Sequence, residues 1–253
     1  MRDLTITLVQ ADQKWEDKEA NFANYEALLT PIESTDLILL PEMFNTAFTM
    51  NTSLVESMEG ESIAWLKETA RKKNAAIYTS LMISENDHFF NRGVFVEPSG
   101  KIHTYDKRKC FSMAKENEHF TAGNRTTLLD YLGWKIQLQI CYDLRFPEIS
   151  RNALVSGTPK YDLLLYVANW PEKRIEHWNT LLKARAIENQ SFVAGVNRFG
   201  TDGNGFEYCG GSMLIDPAGK LASLPTNQSA VSFVIKTENL KKIREMLPFL
   251  RDL

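Results

Sequence analysis

With 253 residues, 43% of them apolar and 24% charged, the chain has ordinary globular composition and enough length for one substantial core. A formal net charge of −3, a pI near 5.9 and the lack of a long basic run argue against nucleic acid or an anionic membrane surface as the main partner. No apolar run approaches the roughly 20 residues of a membrane-crossing helix. MRDLTITLVQ turns polar too soon for a signal peptide, and Cys110, Cys141 and Cys209 lack CxxC spacing and leave one thiol over, which fits a reducing cytoplasm better than secretion.

Residues 4–10 alternate like a strand, and 17–29 then present Ala20, Phe22, Ala23, Tyr25, Leu28 and Leu29 as one apolar helical face, closed by Pro31. DLILL at 36–40 reads as a short buried strand, broken by Pro41-Glu42. A helix over 62–73 turns Ile63, Leu66 and Ala70 inward, and strands at 75–83 and 89–96 form a hairpin. After Pro98-Ser99-Gly100 the chain is extended over 101–105. Asp106 to Asn124 lacks periodicity, and structureless stretches longer than about 12 to 15 residues inside a domain are often functional.

Residues 126–131 and 134–140 pair across Leu132-Gly133. In the second of these strands Trp134, Ile136, Leu138 and Ile140 alternate with Lys135, Gln137 and Gln139, and Cys141 falls in phase with the glutamines. Pro147 suits the first turn of a helix predicted over 147–156, so Cys141 lies in a sharp strand-to-helix corner, where a helix dipole would favour thiolate. Strands at 161–168, 191–197, 211–216 and 230–235 follow, with helices at 175–190 and after Thr237, the last turning Leu240, Ile243 and Leu247 inward. Hairpins mixed with β-α-β crossovers suggest a mixed sheet or two sheets in a single domain over residues 1–253.

Four places strand polar groups at strand ends or in the long loop: Cys141, Glu42 in LLPEMF, Lys107 in YDKRKCF, and the acid pair Glu116 and Glu118. Taken singly, each has a bland reading: a buried inert thiol, a carboxylate reaching solvent, a solvated basic patch with Arg108 and Lys109, plain surface charge. A Cys–His pair would need His88, His103, His119 or His177; the first two sit in a polar turn and at a strand edge. Zinc would need clustered Cys and His, an α/β-hydrolase elbow would need glycines flanking Cys141, and dinucleotide binding would need GxGxxG between strand and helix; all three patterns are missing.

LLPEMF, YDKRKCF and ICYDLRFPE, in that order, resemble the three signature regions of the nitrilase, or carbon–nitrogen hydrolase, superfamily. VANWP at 167–171, LLKARAIENQSFVAGVNR at 181–198 and LVQAD at 8–12 extend the resemblance over nearly the whole chain, and FNTAF, KRKCFSMAKENEHFTAG and YVANWP look most like bacterial omega-amidases. The resemblance implies an α/β fold, an α-β-β-α sandwich, with a Glu42–Lys107–Cys141 triad at one end of two sheets, and a homodimer. It implies that Cys141 is the nucleophile, Glu42 the proton carrier, and Lys107 with the Tyr142 N–H the oxyanion site. Glu116, or its neighbour Glu118, would be a second glutamate. No metal or organic cofactor is implied. Phe48, Asn169 and Trp170 match pocket-lining positions, though a cap and a core aromatic are equally good accounts of the last two. Asp143, Arg145 and Glu148 are expected to brace the corner by ion pairing, and Cys110 and Cys209 to be structural. The implied substrate is the side-chain amide of a small 2-oxo acid, with other amides, or a non-catalytic binding protein on the same fold, as alternatives.

Overall fold

Why LILL at 37–40 is apolar at every position becomes clear once its two faces are traced. The computed structural model describes residues 1–252. The first sheet takes strands β1 (Leu4–Gln10), β2 (Leu37–Leu39), β3 (Ala76–Glu85), β4 (His88–Val96) and β5 (Ile102–Asp106). The second takes β6 (Leu128–Tyr131), β7 (Trp134–Ile140), β8 (Leu163–Ala168), β9 (Phe192–Asn197), β10 (Met213–Ile215) and β11 (Leu221–Ser223), and β12 (Ser229–Ile235) returns to the edge of the first. Their orders are β12-β1-β2-β3-β4-β5 and β11-β10-β9-β8-β7-β6. Leu37 and Leu39 belong to the core between the sheets, together with Leu4, Ile6, Leu8, Tyr78 and Phe95. Ile38 and Leu40 pack outward with Val9, Ile77 and Val94 against helices α1 (Lys18–Leu29) and α2 (Glu61–Lys73), through Tyr25, Leu29, Ile63, Leu66 and Ala70. A strand covered on both faces has no polar phase.

The second sheet is covered by α3 (Ile175–Asn189), whose Trp178, Leu182 and Ala186 are buried. The helix comes so close to β9 that a Cβ on Gly195 would stand 2.6 Å from Leu182 and 2.9 Å from Trp178, so this position is confined to glycine. The layers therefore run helix, sheet, sheet, helix in one domain, and Tyr78, Tyr105 and Tyr131 stitch the sheets by hydrogen bonds to the Gln139 carbonyl, Asp143 and the Asp36 carbonyl. Among the described residues no helix is long and apolar enough to cross a membrane.

Most predicted elements lie within two residues of their observed bounds; the departures have physical causes. Gln137 and Gln139 do alternate with the apolar residues, yet both are buried, because β7 is an interior strand with a helix layer on its polar side. The helix that Pro147 starts ends at Ser150, because Asn152 is held by bonds with Asn189 and the Tyr161 carbonyl, and a small hairpin, Leu154–Val155 with Thr158–Pro159, fills the rest. Asn21, not Ala23, occupies the buried position of α1 and bonds the Lys14 and Asn45 carbonyls. In the last helix, α4 (Thr237–Met246), Leu240 is buried but Leu247, just beyond it, is exposed.

Candidate active site

β2, β3 and β5 run parallel to one another in the first sheet and β7, β8 and β9 in the second, so their carboxyl ends open at the same end of the sandwich. Ligand crevices in α/β folds form at such ends. Beyond β2 comes Glu42, beyond β5 Lys107, beyond β7 Cys141, and beyond β8 Asn169. The first three are the residues singled out from sequence, and all three are buried.

Lys107 Nζ donates to Glu42 Oε1 at 2.8 Å and to both oxygens of Glu116 at 2.9 Å. Burial alone would push the ammonium's pKa down, but the two carboxylates outweigh it and hold Lys107 well above the ordinary lysine range. Asn91 Nδ2 bridges Glu42 Oε1 at 2.8 Å and Glu116 Oε1 at 2.9 Å, fixing the spacing of the carboxylates. Glu42 Oε2 accepts from the Asn169 N–H at 3.0 Å. Of the two loop acids, Glu116 is buried and joins this network, whereas Glu118 is exposed. The loop folds back to make this possible. Glu116 also accepts from the Phe111 N–H at 2.5 Å, and Gly123, whose N–H donates to the Lys107 carbonyl, lies so close to Asp106 that a Cβ there would be 2.2 Å from its carbonyl oxygen.

Cys141 opens a 3₁₀ turn, Cys141–Arg145, with a left-handed φ of 42°, a conformation that costs a non-glycine residue and concentrates at functional sites. Burial, then the Glu42 charge, push its thiol well above the usual range, with Lys107 opposing only in part. Both effects oppose the thiolate that a helix dipole by itself would favour. Burial and the nearby Glu42 charge favour the thiol form, and the Cys141 Sγ lies 3.9 Å from the Asn169 carbonyl. The corner is braced by Asp143, which accepts from Tyr105 Oη at 2.8 Å, Ile140 N at 3.1 Å and Lys109 N at 2.9 Å; burial pushes this carboxyl up to about 6. Arg145 takes no part in that brace and has no carboxylate within ion-pairing distance among the described residues, contrary to the expectation from sequence.

The thiol opens into a cavity of about 590 Å³ lined by Phe48, Asn169 and Trp170 as anticipated, and also by Trp15, Phe111, Tyr142, Arg145, Arg174 and Tyr208. The Lys107 ammonium lies 5.2 Å from the centre of the Phe48 ring. No histidine forms a hydrogen bond with Cys141; His177 meets Arg145 at 3.2 Å, and His103 meets Glu97 at 2.8 Å. Among the described residues no group of three His, Cys, Asp or Glu could hold a metal ion. Asn91 was missed from sequence because it lies within a strand with no motif around it; the pocket arginines were missed because a surface charge and a pocket charge look alike in a string.

A buried thiol that lines the same pocket as an ammonium held by two carboxylates supplies a nucleophile, a positive charge and, behind it, a proton acceptor. The family model described as carbon-nitrogen hydrolase matches residues 5–246. The chain is 42% identical to omega-amidase YafV of Yersinia enterocolitica, covering all of this chain and 97% of that one. It is 31% identical to a 2-oxoglutaramate amidase of Bacillus subtilis, over 98% of this chain and 97% of that one. Among solved structures, the protein XC1258 of Xanthomonas campestris, a CN-hydrolase superfamily protein with an arsenic adduct in its active site, superposes with a TM-score of 0.98 at 39% identity, over 100% and 98% of the two chains.

Proposed function

The chain belongs to the carbon–nitrogen hydrolase family, and on that premise we propose that it is an omega-amidase, hydrolysing the side-chain amide of small 2-oxo acids such as 2-oxoglutaramate and 2-oxosuccinamate to the dicarboxylate and ammonia. The observation that carries the reading is that Cys141 and Lys107 line one pocket with Glu42 bonded to the lysine behind them, in a chain similar over its whole length to omega-amidases.

An amide is a weak electrophile with a poor leaving group, and each residue answers one part of that difficulty. Glu42 takes the thiol proton as the Cys141 sulfur attacks the amide carbon. The carbonyl oxygen becomes an oxyanion held by the Lys107 ammonium and the Tyr142 N–H, whose place in the opening 3₁₀ turn leaves it outside the turn's own bonding. Glu42 returns the proton to the nitrogen, and ammonia departs, leaving a thioester. Water then attacks the thioester carbon as Glu42 takes its proton; collapse expels the sulfur, which recovers a proton from Glu42. Glu116 positions Lys107 with two hydrogen bonds and keeps it charged. Phe48, Asn169 and Trp170 wall the substrate, and every step is accounted for without a metal or organic cofactor.

Ammonia release from a panel tests the substrate class: 2-oxoglutaramate, 2-oxosuccinamate, glutamine, an N-carbamoyl amino acid, an aliphatic amide and a nitrile. Turnover confined to the 2-oxo amides is expected. Preference for another member would leave the chemistry in place and overturn the substrate.

We further place the enzyme in the cytoplasm, as one hydrolase domain over residues 1–253, with no nucleic-acid or membrane partner. Three free cysteines and a net charge of −3 support this. We also take it to be a homodimer. Ile187 on α3 and Met246, Leu247 and Phe249 are exposed, and Gln190 beside α3 bonds the Leu247 carbonyl, so these apolar groups lie near one another. Light scattering should give twice the 28.9 kDa chain mass, and a monomer would rule the dimer out.

A further inference from the structure

Asn91 lies inside β4, opposite Met82 of β3, and is buried. It does not line the cavity, yet its side chain meets both carboxylates of the site. The four oxygens of Glu42 and Glu116 can be followed one at a time, since each holds about two hydrogen bonds. Glu116 Oε1 accepts from Lys107 Nζ and Asn91 Nδ2, both at 2.9 Å. Glu116 Oε2 accepts from Lys107 Nζ at 2.9 Å and from the Phe111 N–H at 2.5 Å. Glu42 Oε1 accepts from Lys107 Nζ and Asn91 Nδ2, both at 2.8 Å. Three oxygens are thus filled. Glu42 Oε2 accepts from the Asn169 N–H at 3.0 Å, and no other nitrogen or hydroxyl donor reaches it among the described residues. Asn169 also carries the carbonyl 3.9 Å from Cys141 Sγ, so the oxygen with room and the thiol adjoin one residue. The Asn91 amide has one sensible orientation: its Oδ1 is buried without a partner, and turning it over would set that oxygen against two carboxylates.

We propose that Asn91 is a positioning residue that closes the Oε1 atoms of Glu42 and Glu116 to protons and so sends the Cys141 proton to Glu42 Oε2. The inference rests on the thioester chemistry of the omega-amidase reading, in which Glu42 carries that proton. An amide nitrogen with both hydrogens committed to carboxylates keeps its two bonds only while each Oε1 is an acceptor. Without it, two buried carboxylates held together by one ammonium would share a proton, as paired carboxylates do. A proton lodged between the Oε1 atoms would leave Glu42 unable to take a second from the thiol. Lys107 cannot prevent this by itself, because its three hydrogens are already spread over three oxygens. The other titratable groups near the pair are Cys141 beyond β7, Cys110 in the loop, Tyr78 on β3 and Asp143 near the lysine, and substitution of Asn91 leaves all of them in place.

The test measures kcat and KM for 2-oxoglutaramate across pH in the wild type, in Asn91→Leu, which keeps the volume without a donor, and in Asn91→Ser, whose hydroxyl can fill one Oε1 but not both. At neutral pH kcat of Asn91→Leu should fall roughly 10- to 100-fold, as lost hydrogen bonds to charged groups imply, with KM within about threefold because Asn91 does not line the cavity. The pH at which kcat/KM falls to half on the acid side should rise by about one pH unit or more, so that part of the loss is recovered at alkaline pH, with Asn91→Ser in between. A loss equal at every pH, or wild-type kcat in a folded Asn91→Leu protein, would overturn the proposal. In the wild type itself, the proton taken up by Glu42 should give an infrared carbonyl stretch lowered as for a carbonyl with two hydrogen bonds, seen by difference against Glu42→Gln; an unlowered stretch would overturn it too. Alkylation of Cys141 by iodoacetamide follows the same proton: sulfur bonds to carbon, iodide leaves and the S–H proton goes to Glu42 Oε2. Its acid-side half-point should move with that of kcat/KM. If the wild type released no ammonia from any 2-oxo amide, the omega-amidase reading would fail, and the alkylation profile would still decide the role of Asn91.

Discussion

Replacing Cys141 with alanine is expected to abolish ammonia release from 2-oxoglutaramate, by at least about 10,000-fold in kcat, as when the nucleophile of a hydrolytic triad is removed. The reason is chemical. No other nucleophile lines the pocket in contact with Glu42, and a water taking the place of the sulfur would lack a built position from which to attack. Alanine keeps the Cβ, so the left-handed φ of 42° at this corner costs it no more than it costs cysteine. The brace through Asp143 is untouched, because it runs to Tyr105, Ile140 and Lys109. The variant should therefore fold with wild-type near-ultraviolet circular dichroism and nearly the wild-type melting temperature. Wild-type turnover by a folded Cys141→Ala protein would rule out the thioester route altogether.

Lys107→Met is the second substitution with a large expected effect, and it acts on rate and stability together. Losing one oxyanion donor typically costs 100- to 1,000-fold in kcat, and loss of about that size is expected here. Methionine fills a similar volume but leaves Glu42 and Glu116 buried around Asn91 with no cation, and stripping one partner from a buried ion pair costs about 3 to 5 kcal/mol. The pH dependence follows from the direction of the shift. The lysine's pKa is raised in the folded chain, so its contribution is whole below its unfolded pKa and is lost only as alkaline pH passes through the folded value. The wild type thus keeps the full contribution at neutral pH. The variant's deficit, read as a difference in melting temperature, should narrow as the pH falls and protons replace the missing cation. A variant with wild-type stability at neutral pH would mean that the three charges do not act as one unit.

Much of this site could be read along the chain because its parts mark the ends of strands. A buried run that stops at a charged residue, as DLILL does before Pro41-Glu42, or an alternating run that stops at a cysteine before Phe146-Pro147, is a local pattern. It survives folding because strand periodicity and proline restrictions are local properties. The same holds for the β3–β4 hairpin and for the helical faces of Ile63, Leu66 and Ala70. Where reading along the chain stopped short, the deciding contact came from far away. Glu116 and Glu118 are equivalent in a string. Only the fold of the loop onto the carboxyl ends of β2 and β5 buries the first against Lys107 and leaves the second in water. The same contacts make Lys107 the buried cation while Arg108 and Lys109 stay partly exposed.

From its own order of residues, then, the chain determined its strands, most of its helices and three residues of one chemistry. Tertiary structure alone decided which groups surround that chemistry and which charges line the pocket. Local sequence suggested a thiolate at Cys141. Packing buried the thiol beside a carboxylate drawn from a different sheet, and desolvation with a neighbouring negative charge outweighs any dipole of a short helical turn. Arg145, four residues from the thiol, reads as a brace in the sequence. It lines the cavity because Asp143 is already satisfied by Tyr105 and two backbone N–H groups, which leaves the guanidinium free to lie on Trp170. Periodicity reports which face of a strand a side chain takes. Its charge state and its partner depend on what the other layers bring to that face, and those residues lie far away in the chain.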